Sequence, residues 1–176
     1  MNTTIRPENE NDYKAVFHLI QEAFKSEVLS KPKEQILVKR LRESKAFIPE
    51  LSLIAEVGNK IVGHILLTKL KIKNDQNEFD SLALAPVSVL PKYQRKGIGA
   101  MLINQAHKKA KALGYKSIVL LGHEGYYPKF GYQQAVKFGI VLSFELPKEN
   151  CMVLELIENG LKGVQGKVEY PKVFFE

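Results

Sequence analysis

Residues 94–100 read Gln94-Arg95-Lys96-Gly97-Ile98-Gly99-Ala100, two cations followed by a run dominated by small residues. The segment joins a β-branched stretch to a helical pattern, so it falls where a helix begins. A helix start carries unpaired backbone N–H groups and a partial positive charge. Ser, Thr, Asp or Asn ordinarily covers those groups, and none occurs in these seven residues. Small side chains leave the amides open to close approach, and Arg95 and Lys96 add charge beside them, which suits a phosphate group. The competing reading is a tight strand-to-helix turn in which glycine supplies only a positive φ. A dinucleotide fingerprint would need a third glycine where Leu102 stands, and no Gly-Lys-Ser/Thr follows. Spacing by itself leaves cradle and turn both open.

Other reactive side chains are scattered. Tyr126, Tyr127, Phe130 and Tyr132 form an aromatic block that reads as core packing. The four histidines, His18, His64, His107 and His123, have no paired ligand spacing, so no metal site is expected. Cys151 is the single cysteine, which excludes an internal disulfide and a cysteine-built zinc site; between a polar turn and an apolar strand it reads as a buried thiol. Basic and aromatic residues do not interleave as in an RNA-binding sheet. Lys and Arg number 26 against 19 Asp and Glu, a net charge of +7 that biases the surface toward anions. The cations are dispersed, and Lys108, Lys109 and Lys111 read as a solvated helix face.

These residues need a scaffold, and the chain is long enough for one. At 176 residues and 45% apolar it fits a single domain over 1–176 with an adequate core. No stretch of ~18 uncharged apolar residues occurs, so no membrane span is expected. The start, Met1 to Arg6, carries no cleavable leader pattern, and with one cysteine the expectation is a cytoplasmic protein.

Thr3 to Arg6 reads as a first strand. Asp12 opens a helix with Ala15, Val16, Leu19, Ile20, Ala23 and Phe24 on one face, and Lys33 to Ser44 fits a second helix. Ser52 to Val57 and Lys60 to Lys73 read as strands joined by Gly58-Asn59, and Phe79 to Leu90 as the return strand. Ile98, Leu102, Ala106, Ala110 and Leu113 share a helical stripe over Gly97–Leu113, closed by Gly114. Ser117 to Leu121 is a short, wholly apolar strand of the buried kind, completing a βαβ unit. Ile140 to Phe144 and Met152 to Leu156 read as two more strands. The class is α/β (α+β), one mixed sheet covered by helices.

The stretch Ala85-Pro86-Val87-Ser88-Val89-Leu90-Pro91-Lys92-Tyr93 followed by residues 94–100 resembles the acyl-CoA signature of the GNAT superfamily of N-acetyltransferases, whose centre is Gln/Arg-x-x-Gly-x-Gly/Ala. Tyr126-Tyr127-Pro128-Lys129-Phe130-Gly131-Tyr132 resembles the superfamily's Tyr-x-x-x-Gly-Phe/Tyr segment, and Lys60 to Ile65 its Val-Gly strand. The tail from Val168 to Phe174 is similar to a bacterial subgroup of predicted acetyltransferases ending in Val-x-Tyr-Pro-x-x-Phe.

The resemblance implies a mostly antiparallel sheet splayed at an acetyl-CoA site. The pyrophosphate would rest on the amides of Gln94, Arg95, Lys96, Gly97, Ile98, Gly99 and Ala100. Val87, Ser88 and Val89 would offer main-chain groups to the pantetheine arm, with the Val89 N–H at the thioester carbonyl. Tyr127, four residues before Gly131, stands where the superfamily often places its general acid. A primary amine would attack the thioester directly. The superfamily's strand carboxylate base has no counterpart in Ser81 to Val89, and among Glu56, His64, His123 and Glu124 none is assigned as base. An acyl-CoA-binding sensor of the same fold is the alternative. No nucleic acid or membrane partner is expected, and a homodimer is the default oligomer.

Overall fold

Residues 1–25 and 33–176 are described by the computed structural model. The amphipathic stripes found in the sequence become three α-helices among the described residues: α1 (Tyr13–Phe24), α2 (Glu34–Arg42) and α3 (Ile98–Ala112). The β-branched runs become β1 (Thr3–Pro7), β2 (Ser52–Val57), β3 (Lys60–Lys73), β4 (Glu78–Val89) and β5 (Ser117–Leu121). Later come β6 (Gln133–Gln134), β7 (Ile140–Leu142), β8 (Cys151–Glu155) and β9 (Gly166–Glu169). All join one sheet in the order β1-β2-β3-β4-β5-β8-β6, while β9 pairs with both β3 and β7. Among the described strands only β4 with β5 and β7 with β9 run parallel, so the mixed, mostly antiparallel sheet expected from the sequence is present.

Boundaries moved where side-chain pattern carried little information. The strand read at Ile140 to Phe144 stops at Leu142, and that read at Met152 to Leu156 is shifted to Cys151–Glu155. The two-residue β6 and the polar β9 have no alternating pattern of their own. β9 forms because β2 pairs with β3 only as far as Leu66, leaving the edge at Lys71–Lys73 open to it.

The sheet has two differently covered faces. On one, α3 buries Ile98, Leu102, Ile103, Ala106 and Ala110 against Val62, Ile65, Leu67 and Leu82. Each fully buried Ile, Leu or Val among them contributes about 1.5–3 kcal/mol of hydrophobic free energy. Gly63 permits the approach, because a Cβ there would stand 2.9 Å from Leu102 Cδ1 and 3.3 Å from the Ser88 carbonyl oxygen. On the other face α1 and α2 pack Val16, Leu19, Ile20, Val38 and Leu41 on Ile54 and Leu66. The entry to α1 is fixed by a capping box between Asn9 and Asp12, and Arg6 holds Asp12 in an ion pair.

The parallel β4–β5 pairing is the shortest junction between long strands. It comprises only Leu82–Ile118 and Ala83–Val119. Further along, Ala85 and Pro86 sit opposite Leu66 alone, an irregularity of the kind that bends a strand. β5 turns to its full antiparallel partner β8, and β4 stays with β3. The two strands therefore part from residue 84 onward, and a cleft opens at their carboxyl ends, where α3 begins.

Candidate active site at the β4–β5 cleft

Val89 and Val87 bring main-chain groups to this cleft. The Leu90 N–H bonds the Val62 carbonyl, so hydrogen-bonded pairs alternate down the ladder as Val62–Leu90 and His64–Ser88. Gly63–Val89 and Ile65–Val87 are then the non-bonded pairs, and both valines turn their N–H and C=O away from β3 toward the opening. Ser88 is turned the other way: its backbone faces β3 and its side chain is buried on the face opposite α3. It does not offer the cleft main-chain groups as expected of it, so any contribution from Ser88 comes through its hydroxyl.

The loop into α3 leads to an uncapped helix start. Arg95 (φ 62°) and Gly97 (φ 82°) both adopt left-handed conformations. For a residue with a Cβ such as Arg95 this costs about 1–2 kcal/mol. Gly97 is the N-cap of α3 and no side chain caps the helix. The first intrahelical bond is Met101 N–H to the Gly97 carbonyl at 3.0 Å, so the amides of Ile98, Gly99 and Ala100 have no partner within the helix. Gln94, Arg95, Lys96 and Gly97 are exposed, and nothing lies within 4 Å of where a Gly97 Cβ would be. Gln94 folds back, its Nε2 donating to the Val89 carbonyl at 3.0 Å. Lys60 and Lys96 place their ammonium groups 5.8 Å and 5.6 Å from the Tyr93 ring centre, adding positive charge at the rim.

The aromatic block forms the far wall. Tyr127 packs on Gly122, where a Cβ would come within 2.5 Å of its ring, so this glycine is required by the tyrosine. Tyr126 and Tyr132 meet Tyr127 edge to face at 5.0 and 5.8 Å. Burial pushes the Tyr127 phenol up to about 12, with Tyr126 adding a smaller push, so the hydroxyl keeps its proton at neutral pH. Tyr132 is committed to structure, its hydroxyl 2.8 Å from His107 Nε2 on α3. Tyr126 departs from its sequence reading as simple core: a Cβ on Gly99 would lie 3.4 Å from its hydroxyl and 3.9 Å from Val89 Cγ2. Tyr126, Val89 and the start of α3 thus converge at the cleft mouth, a meeting that no local sequence signal announces.

The remaining acid–base candidates separate clearly. Glu56 is held by Arg6, while His123 and Glu124 are exposed. His64 is wholly buried within β3. Cys151 is buried and its thiol is pushed up to about 11 by that burial, which removes it as a nucleophile at neutral pH. Among the described residues no group of three or more His, Cys, Asp or Glu side chains is arranged to hold a metal ion, and no helix is long and apolar enough to cross a membrane.

A splayed mixed sheet with an uncapped helix start at the split defines the class of protein to which this site belongs. Residues 4–135 match the family model of the acetyltransferase (GNAT) domain, and the chain belongs to that family. The uncharacterized N-acetyltransferase YjhQ of Escherichia coli K12 is 35% identical over 126 residues, 70% of each chain. YhbS, an uncharacterized N-acetyltransferase of the same strain, is 26% identical over 171 residues, 97% of each. The crystal structure of Escherichia coli YhbS in complex with CoA superposes with a TM-score of 0.90 at 24% identity, covering 100% of this chain and 93% of that one. A Brucella melitensis GNAT family acetyltransferase in complex with acetyl-CoA gives a TM-score of 0.79 at 30% identity over 98% of each chain. The chain is therefore an acetyltransferase of this family.

Proposed function

We propose that the chain is a single-domain, acetyl-CoA-dependent N-acetyltransferase that acts on a primary amine by direct attack on the thioester. The observation that carries this reading is the convergence on one cleft of the uncapped α3 amides and the outward-turned backbone of Val87 and Val89. The relatives crystallised with CoA and acetyl-CoA support the choice of ligand.

In this reading the pyrophosphate sits on the amides of residues 94–100, with Arg95 and Lys96 beside it. The pantetheine amides pair with Val87 and Val89 in the manner of an added strand. The Val89 N–H polarises the thioester carbonyl and then holds the tetrahedral oxyanion, where a fixed donor is worth most. When the C–S bond breaks, the Tyr127 O–H donates a hydrogen bond to the leaving sulfur. Complete proton transfer from a phenol near 12 to a thiolate whose conjugate acid lies near ~8.5 is uphill, so Tyr127 acts mainly by stabilising the developing charge. An alkylamine with a pKa of about 10.4 is less than ~0.1% neutral at pH 7, so the acceptor must lose a proton before it attacks.

The test is thermal denaturation with and without acetyl-CoA, with adenosine diphosphate as a partial ligand. At 100 times Kd the ligand adds about 2.7 kcal/mol, which raises Tm by roughly 5–10 °C in a domain of this size. An unchanged Tm at millimolar acetyl-CoA would refute the reading.

A further inference from the structure

Acetyl transfer needs room for the body of the acceptor, and the face opposite α3 divides into two unlike halves. The half under α1 and α2 is filled. There Arg42 donates to Glu8, Nε to Oε1 at 2.9 Å and a terminal nitrogen to Oε2 at 2.8 Å, and stacks 3.9 Å over the Tyr13 ring. Burial pushes the Glu8 carboxyl up, but the hydrogen bonds from His64, Arg42 and Ser52 outweigh it and hold it down at about 2. The other half lies between β7 and β8, and a cavity of about 570 Å³ opens in it, a size that suits a small organic ligand.

The walls of this cavity are apolar. Ile140 and Leu142 of β7, Phe144 and Leu146 of the following loop and Cys151 at the start of β8 line it. Pairing with β9 holds β7 in place, Ile140 beside Gly166 and Leu142 beside Val168, so that both side chains join one core cluster with Leu121 and Cys151. Phe144 is braced by the end of the chain, 6.3 Å from the Tyr170 ring and edge to face with Phe175 at 5.7 Å. Burial pushes the Cys151 thiol up to about 11, so this wall too is uncharged. At the rim Val141 (41% exposed) and Leu146 (44%) stand uncovered beside exposed Glu145 and Lys148, whose opposite charges offset each other. A lining of this kind rewards apolar surface and favours neither a polycation nor a polyanion.

The cavity adjoins the carboxyl end of β5, where the cleft lies. Cys151 is paired with Leu121, the last residue of β5, and paired strands stand about 4.8 Å apart. The Gly122 N–H then bonds the Asn150 carbonyl at 2.9 Å, and Gly122 seats Tyr127. With the nucleotide on the α3 side of the split, an acceptor has to approach from the opposite face, the one on which Leu121 and Cys151 pack. Two other cavities are lined by Tyr115 and so lie at the amino end of β5, away from the cleft. We propose that the β7–β8 cavity receives an alkyl or aryl group carried by the acceptor, so that the substrate class is an apolar primary amine; the inference rests on the acetyl-transfer reading. The amine is held at the thioester, and its apolar group reaches past Leu121 into the cavity. No bond is made or broken there, and the cavity adds binding in proportion to the apolar surface it covers.

The test follows CoA release from acetyl-CoA by the full chain with propylamine, butylamine, hexylamine and phenethylamine, and with ethanolamine, putrescine and a lysine peptide as polar acceptors. From propylamine to hexylamine, kcat/KM is expected to rise about fourfold per methylene, the factor for burying one CH2. The polar acceptors are expected to do no better than propylamine. A flat series, or a polar acceptor ahead of hexylamine, would overturn the proposal. Leu146→Asp sets a charge in the cavity at an exposed position and is expected to cost hexylamine at least ~10-fold more than propylamine, with the Tm rise on acetyl-CoA retained. An equal loss for both amines, or none, counts against the cavity. Independently of any variant, methyl NMR of the CoA-bound chain is expected to show hexylamine shifting the Ile140, Leu142 and Leu146 resonances, and unmoved resonances would overturn the assignment. Acetyl-, butyryl- and hexanoyl-CoA are compared with propylamine as the fixed acceptor. A rate that climbs with acyl length while the amine series stays flat would give the cavity to the acyl chain instead. If the wild-type chain shows no Tm rise with acetyl-CoA and releases no CoA, the acetyl-transfer reading has failed; a rise with a flat amine series removes only this inference.

Discussion

The position of the hydroxyl distinguishes the two tyrosines at the cleft. Tyr127 is deep, seated on Gly122 and proton-bearing, whereas Tyr126 brings its hydroxyl to Gly99 at the mouth. Tyr127→Phe keeps the ring, its edge-to-face partners and its packing on Gly122, so it isolates the O–H. The expected outcome is a fall in kcat of about 10²-fold, the low end for a proton donor because the phenol is so weak an acid, with the acetyl-CoA Tm rise unchanged. Tyr126→Phe is the control and is expected to alter acetyl-CoA affinity more than kcat. Equal kcat values for Tyr127→Phe and the wild type would remove Tyr127 from the reaction. Sequence pattern singles out Tyr127 and the segment 94–100, because both are set by local spacing. It conceals the Tyr126 hydroxyl and the Glu8–Arg42 pair, 34 residues apart, because such meetings depend on how elements pack.

At the scale of elements, the candidate site is the start of one helix and the parting of two strands. Ser52–Val57, Lys60–Lys73 and Ser117–Leu121 were legible to the residue because β-branched runs end abruptly at Gly, Asn or polar turns. The start of α3 was legible too, since a missing cap is a local property. The parting of β4 from β5 was not, because it depends on β8 claiming β5 and on the irregularity at Ala85 and Pro86. The helix start yields a prediction of its own. Gly99→Val has room for its Cβ, at 3.4 Å from the Tyr126 hydroxyl, and valine is a slightly better helix former than glycine. Its γ-methyls would fill the mouth of the cleft. Tm without ligand should change by only a few degrees, while the rise with acetyl-CoA disappears. A full rise in Gly99→Val would mean that the nucleotide is held away from α3.

Across the whole molecule, buried groups on both faces tie stability to pH. Burial holds the His107 imidazole down at about 4 from 6.5, so the folded chain binds fewer protons there than the unfolded one. Its contribution is complete above pH 6.5 and is lost as pH falls through 6.5 toward 4. Glu8, held at about 2 from 4.5, has the same sign in a lower window: its contribution is present above 4.5 and is lost as pH falls toward 2. At about 1.36 kcal/mol per pH unit of displacement, each amounts to at most about 3 kcal/mol. The alkaline side has the opposite sign. Cys151, raised to about 11 from 9.0 by burial, contributes fully below pH 9 and loses that contribution as pH rises toward 11. Stability measured by urea titration should therefore form a plateau between about pH 6.5 and 9, with an acid limb made of two successive windows. His107→Gln retains a partner for the Tyr132 hydroxyl and removes the ionisation, so it should flatten the limb between pH 6.5 and 4 and leave the lower one intact. Glu8→Gln should erase the lower window, at a cost of several kcal/mol at neutral pH for leaving the Arg42 charge buried without its partner. An acid limb in His107→Gln that matches the wild type would show that His107 is not held neutral by the packing of α3 against the aromatic block.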